Sequence, residues 1–351
     1  MRQGLKLFTI LLIIAVLAAC GSESSGNGND NEAGADNNSA DTSSLVFSTQ
    51  GLGTTFNTMT NAINHVIKPE LPEDLHIDTQ TTSPGGIAAS YIIAEGKADL
   101  TLGNAAPANW ATTTGIEDKE KAEGVASLGG GYDAPIALAV FTDAFIQKSG
   151  FSTLEEIIEN EYPVRIATKD TGSFGEMTAR KVLETLGVDF DDIESWGGSV
   201  TLTDSSNVID LLRDDRADIT IDHTNVDQPN YVELSMTTDI HVIELGESTR
   251  DSLFEAGYAR QVIPSGSFEG VVEKDIETVG STTSLLVNES MDEDIAYAIT
   301  KAIAENKEEL EKGFAAFSVF DPQVACNPEY AGAPLHKGAE KYYKENGCLD
   351  D

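Results

Sequence analysis

Three short turns hold most of the residues whose types and spacing could do chemistry. They are Ser48-Thr49-Gln50-Gly51-Leu52-Gly53-Thr54-Thr55-Phe56, Thr81-Thr82-Ser83-Pro84-Gly85-Gly86 and Lys169-Asp170-Thr171-Gly172-Ser173-Phe174-Gly175. Glycine lets the backbone come close to a ligand, and Ser and Thr hydroxyls supply hydrogen bonds. The free N–H groups and dipole of a following helix attract a carboxylate or phosphate. A tight strand-to-helix connection with a capping hydroxyl would use the same residues. Three such turns on one chain favour an anion cleft. None fits the phosphate loop GxxxxGK[ST] or the dinucleotide fingerprint GxGxxG. The sequence has no GxSxG or SxxK motif and no paired Cys/His arrangement for a nucleophile. Its five histidines have no HExxH spacing. Asp189-Phe190-Asp191-Asp192 lacks the EF-hand pattern and reads as a solvated acidic loop. No metal and no cofactor is expected.

Each turn falls between a predicted strand and a predicted helix. Strands are expected at 45–49, 75–79 and 98–102, with two more around Gly129-Gly130-Gly131, and helices at 54–67 and 87–94. The second half repeats the scheme, with strands at 163–167, 217–221 and 283–288. Its helices are expected at 154–158, 172–186, 207–212 and 292–306. Strands alternating with helices imply α/β lobes, each a mostly parallel sheet covered by helices. Ligands in such sheets sit beyond the carboxyl ends of strands, so two lobes imply a cleft between them. The expected division is 45–140 plus 276–351 for one lobe and 141–275 for the other.

The chain has 351 residues, long enough for two domains, and 40% are apolar, enough for real cores. Its 22 Lys+Arg against 59 Asp+Glu give a formal charge of −37. Phosphate would be repelled, so nucleic acid is excluded as a natural partner, and docking on anionic lipid through the protein surface is disfavoured. The N-terminus reads as an address. Arg2 and Lys6 precede an almost purely apolar run, 7–19, which as helix spans about 20 Å, short of a bilayer core. That is the pattern of a secretory signal, 1–19. Leu17-Ala18-Ala19-Cys20 resembles the lipobox of bacterial lipoproteins, which implies cleavage before Cys20 and a diacylglycerol on its sulfur. Segment 20–44 has no aromatic, Lys or Arg and reads as a flexible acidic tether. The expected location is therefore extracytoplasmic, anchored to the cell membrane. Cys326 and Cys348 remain; outside the cell they are expected to pair, the alternative being two buried thiols.

His223 lies just beyond the expected strand 217–221, where a cleft residue would sit, or else on a lobe surface. Trp196, before Gly197-Gly198, could form a cleft wall or pack in a core.

Several segments together resemble the TAXI family, the solute-binding receptors of tripartite ATP-independent periplasmic (TRAP) transporters. They are Phe47 to Asn57, Gly96-Lys97-Ala98-Asp99-Leu100, Gly172-Ser173 with Glu176 to Arg180, and Val262 to Gly270 followed by Val279. The ending is the most specific: Pro334-Leu335-His336-Lys337-Gly338-Ala339 with Tyr342 to Gly347. The resemblance covers about 45–347. It implies a two-lobed, type II periplasmic binding-protein fold, no enzyme activity and a monomer that closes on a small anion. Glutamate-like amino acids and dicarboxylates are the class it implies, and a TRAP-type membrane permease the partner. On this reading Ser48, Gly53, Thr54, Ser83, Gly86, Asn104, Gly172 and Ser173 give backbone or side-chain donors to carboxylate oxygens. Phe56, Phe174 and Trp196 form apolar walls, and His223 makes a polar contact from the second lobe. The chain departs from the family's turns, with Thr55-Phe56 and Ser173-Phe174-Gly175 in place of more polar residues, which points to a less polar or differently shaped ligand. The rivals are a sensory co-receptor for a similar solute and an anchored serine hydrolase.

Overall fold

The computed structural model describes residues 44–350. The signal segment, Cys20 and the tether up to residue 43 lie outside the described residues. Among the described residues no helix is long and apolar enough to cross a membrane.

Local sequence signals set the elements around the turns. In the helix Thr55–Ile67, Phe56, Met59, Ile63 and Ile67 recur at helical spacing and are buried, and Thr54 caps it by accepting the Asn57 N–H. Each large apolar side chain so buried contributes about 1.5–3 kcal/mol. Ser173 caps Phe174–Thr185 in the same way, accepting from the Glu176 N–H. Asp292 caps Glu293–Glu305, whose Ile299, Ala302 and Ile303 face the core.

Among the described residues, twelve strands form two five-stranded sheets and one hairpin. In chain order they are β1 (Ser44–Ser48), β2 (His76–Gln80), β3 (Leu100–Asn104), β4 (Val125–Gly130), β5 (Ile136–Thr142) and β6 (Arg165–Lys169). There follow β7 (Ser199–Thr203), β8 (Ile219–Thr224), β9 (Ile240–Ile243), β10 (Ala259–Ile263), β11 (Ile276–Gly280) and β12 (Thr283–Asn288). The first sheet runs β2-β1-β3-β12-β4 and the second β7-β6-β8-β5-β9. In each, the strand in fourth place is antiparallel to both neighbours: β12 in the first, β5 in the second. Pairs β1/β2, β1/β3, β6/β7 and β6/β8 are parallel. Two α/β lobes result, each with a mixed sheet in which one strand runs against the other four, and each with its own apolar core.

The two antiparallel strands mark where the chain changes lobe. After β4 it runs through Gly131 to Pro135 into β5 of the second sheet; after β11 it returns through Ser281-Thr282 into β12 of the first. The pair of strands expected around Gly129 to Gly131 is thus split between the sheets, because β5 is buried along its whole length between β8 and β9. The two crossings are tied together. Asp133 Oδ1 accepts the Thr283 N–H at 2.7 Å, and Thr282 Oγ1 donates to the Asp133 carbonyl at 2.8 Å.

At the C-terminus, Lys337–Glu345 lies on Glu293–Glu305 and the Tyr343 hydroxyl donates to the Leu128 carbonyl. His336 stays local, its Nδ1 accepting the Gly338 N–H. Cys326 and Cys348 form a disulfide, closing this ending against the first lobe's core.

Candidate functional site

The first two turns and the third face one another across a cavity of about 870 Å³. A smaller one of about 230 Å³ adjoins it, and Thr55, Phe56, Asn104, Lys169, Ser205 and His223 line both. The volume is that of a small-molecule site. Most sequence-predicted site residues meet here: Gly53, Thr54, Phe56, Gly86, Asn104, Gly172, Ser173, Phe174 and His223 all line the larger cavity.

Three of the expected residues do not line it. Ser48 is fully buried and its hydroxyl bonds the Thr82 hydroxyl at 2.8 Å, so it fastens the second turn to the end of β1. Ser83 is also buried, its N–H donating to the Thr49 carbonyl. Trp196 follows the short helix Phe190–Ser195. It packs on the second lobe's core beside β7, the far edge strand of that sheet, and lines neither cavity.

Two glycines make room for polar side chains. A Cβ on Gly86 would occupy the place of the Asn104 carboxamide. A Cβ on Gly175 would collide with the Asp222 carboxylate and come within 2.7 Å of Lys169 Cδ. The first turn of the Phe174 helix therefore lies flush against an ion pair, buried on its Asp222 side, that the turn chemistry alone did not reveal.

That pair is Lys169–Asp222, Nζ to Oδ1 at 3.0 Å, brought together by the pairing of β6 with β8. Lys169 Nζ also donates to the His223 carbonyl at 3.1 Å. Asp222 also accepts from the His223 N–H at 2.6 Å and from the Tyr231 hydroxyl at 2.8 Å. Two of the three Lys169 N–H groups are thus used and the third is left for the cavity. Lys169 was visible in the sequence as the only basic residue in the three turns, and it was not among the expected contacts.

His223 sits within β8 and is buried. Its Nε2 accepts the Ser281 N–H at 2.9 Å, so the ring is neutral with its proton on Nδ1. Burial, seconded by the Lys169 charge, pulls its pKa down to about 3. Its ring lies 4.4 Å from that of Phe174, between centroids. Ser281 in turn accepts the Ala106 N–H from the first lobe. His223 therefore touches the cavity and the return crossing at once. Asp133 lines the smaller cavity, and burial raises its pKa to about 6 against the lowering effect of the Thr283 and Thr282 hydrogen bonds.

The lobes meet at one edge of the cleft through aromatics. Trp110 of the first lobe lies 6.2 Å from Phe174 and 5.8 Å from Tyr258, and its indole N–H donates to the Ala256 carbonyl. Among the described residues no group of three or more His, Cys, Asp or Glu side chains could hold a metal ion. The arrangement offers hydrogen-bond donors to a small polar ligand in a cleft between two lobes.

A model of the NMT1-like family matches residues 47–347. The chain belongs to the NMT1-like family. The fold is that of two solved structures, and a third matches at a lower TM-score. A TctC solute-binding protein from Polaromonas is 13% identical with a TM-score of 0.50, over 87% of this chain and 98% of that one. XAC2383 from Xanthomonas citri, solved with bound ATP, is 12% identical with a TM-score of 0.50, over 87% and 97%. MatC from Rhodopseudomonas palustris, solved with bound malate, is 14% identical with a TM-score of 0.48 over 87% and 97%. The NMT1-like chain thus has the two-lobed fold of periplasmic solute-binding proteins.

Proposed function

We propose that this NMT1-like chain is an extracytoplasmic receptor that captures a small carboxylate-bearing solute between its lobes. On this reading it is a TAXI-type receptor that passes the solute to a TRAP-type membrane permease, and it is held at the membrane by a lipid on Cys20. What supports the proposal is that Lys169 and His223 both line both cavities, with one Lys169 N–H and the His223 Nδ1–H left over from the bonds already described. Gly172, Ser173 and the first turn of the Phe174 helix flank them from the second lobe, and Gly53, Thr54, Gly86 and Asn104 from the first. A solute touching both sets would favour the closed arrangement over an open one. The lobes need no chemistry for this role. Ser173 Oγ is spent on capping its helix and His223 Nε2 on the Ser281 N–H, so neither forms a nucleophile–base pair.

Thermal-shift screening of carboxylates, amino acids, sugars and phosphates, followed by native mass spectrometry of any co-purified ligand, tests the reading. A solute at 100 times its dissociation constant stabilises the folded state by about 2.7 kcal/mol. A carboxylate that does so supports the receptor; stabilisation by sugars or phosphates alone contradicts it. For the anchor, Cys20→Ser is expected to move the protein from the membrane fraction to the soluble one.

A further inference from the structure

The proposed receptor cleft has two chemically different ends. Lys169 and His223 lie where the two cavities join, with Asn104, Ser205 and Thr55 around them. Away from that junction, only the larger cavity is lined by Ile87, Tyr91, Ile116 and Met177. These four and Phe174 belong to one apolar cluster of the first lobe, into which Met177 and Phe174 reach from the second. Phe174 joins the two ends, its ring against His223 on one side and within the cluster on the other.

Charge at the cleft is balanced rather than positive. Lys169 is paired with Asp222. At the rim Lys119 lies over the Tyr91 ring, 4.6 Å from its centre, and Glu117 of opposite sign stands two residues away. The polar end offers donors, the third Lys169 N–H and the His223 Nδ1–H with the Asn104, Ser205 and Thr55 side chains, but Lys169 is the one cation among its described lining residues. A second carboxylate would have to leave water either for the apolar end or for the smaller cavity, where Asp133 and Asp222 stand and no second cation does, against a chain of charge −37.

We infer that the solute is a monocarboxylate with an apolar body, seated with its carboxylate on Lys169 and His223 and its hydrocarbon on the Ile87, Tyr91, Ile116, Phe174 and Met177 wall. The inference rests on the receptor reading above and narrows it: a branched or aromatic 2-oxo acid fits, and a short dicarboxylate does not.

Titration calorimetry of the purified full chain with a graded series of 2-oxo acids tests it: pyruvate, 2-oxobutyrate, 2-oxo-4-methylpentanoate and phenylpyruvate, against oxaloacetate and 2-oxoglutarate. Affinity is expected to rise about four-fold per buried methylene along the first series, and the dicarboxylates to bind at least ten-fold more weakly than the branched acid. Lys169→Gln is expected to weaken every carboxylate. Ile87→Gln, at a half-buried wall position, is expected to weaken only the branched and aromatic acids, so its effect cannot come from general misfolding. Tighter binding of dicarboxylates, or affinity that ignores chain length, overturns this inference and leaves the receptor reading standing. Failure of every carboxylate, in the series and among amino acids, overturns both.

Discussion

A buried base and a buried acid meet at the return crossing, and they pull stability with pH in opposite directions. His223 takes the Ser281 N–H and has its pKa lowered from 6.5 to about 3, chiefly by burial. Between those values the unfolded chain holds a proton on this ring that the folded chain does not, so its contribution to stability falls as pH falls. Asp133 takes the Thr283 N–H and has its pKa raised from 3.8 to about 6, again chiefly by burial. Between those values the folded chain holds the proton, so this contribution grows as pH falls. From pH 6 to 5 each amounts to about 1 kcal/mol, since one full proton difference is worth about 1.4 kcal/mol per pH unit and both groups are partly titrated there. In the parent chain the two nearly cancel. His223→Gln keeps an acceptor for the Ser281 N–H and removes the base, so stability should rise, relative to the parent, by about 1 kcal/mol on going from pH 6 to pH 5. Asp133→Asn removes the acid, so stability should fall by a similar amount over the same interval. Urea unfolding followed by circular dichroism at pH 5.0, 5.5 and 6.0, read as differences from the parent, cancels the background of the many surface carboxylates. Slopes of the same sign in the two variants, or no change from the parent in either, would refute the placement of neutral His223 and Asp133 at the crossing.

Gly175→Ala should destabilise the protein by about 1–2 kcal/mol by thermal melting. The helix gains about 1 kcal/mol from alanine, but the new methyl is forced onto Asp222 and Lys169, an overpacking cost of about 1–3 kcal/mol with a disturbed ion pair added; a more stable variant would show that the helix start is not seated there. Replacing Cys326 and Cys348 together by Ser removes a cross-link between positions 22 apart and should cost about 3 kcal/mol in denaturant unfolding. Added NaCl should raise the melting temperature by screening self-repulsion of a −37 chain, and a steady fall would contradict that account of the charge.

The turns were legible because their signals are local: a short apolar strand, glycine with hydroxyls, then a helical apolar spacing, as in Phe47 to Ile67. What local spacing could not show was the partner of each polar group. Ser48 and Ser173 look alike in sequence, yet one hydroxyl is buried against Thr82 and the other caps a helix at the cleft. Lys169 and Asp222 are 53 positions apart, and only the β6/β8 pairing makes them neighbours. Asp133 and Thr283, 150 apart, meet only because the chain crosses twice between the lobes. Trp196 packs on the second lobe's core, one of the two places the sequence left open for it. His223 was legible as a cleft residue from its place near the end of β8, while its bond to Ser281 was not.

The claim that this chain captures a carboxylate between its lobes is tested most directly by calorimetric titration of the best-binding acid from the screen beside its uncharged carboxamide, with small-angle scattering of the free and loaded protein. One site per chain is expected, with the carboxamide at least ten-fold weaker and a smaller radius of gyration, or an unchanged one if the free lobes already rest closed. Equal affinity for acid and amide, or a bound protein that expands, would contradict the account.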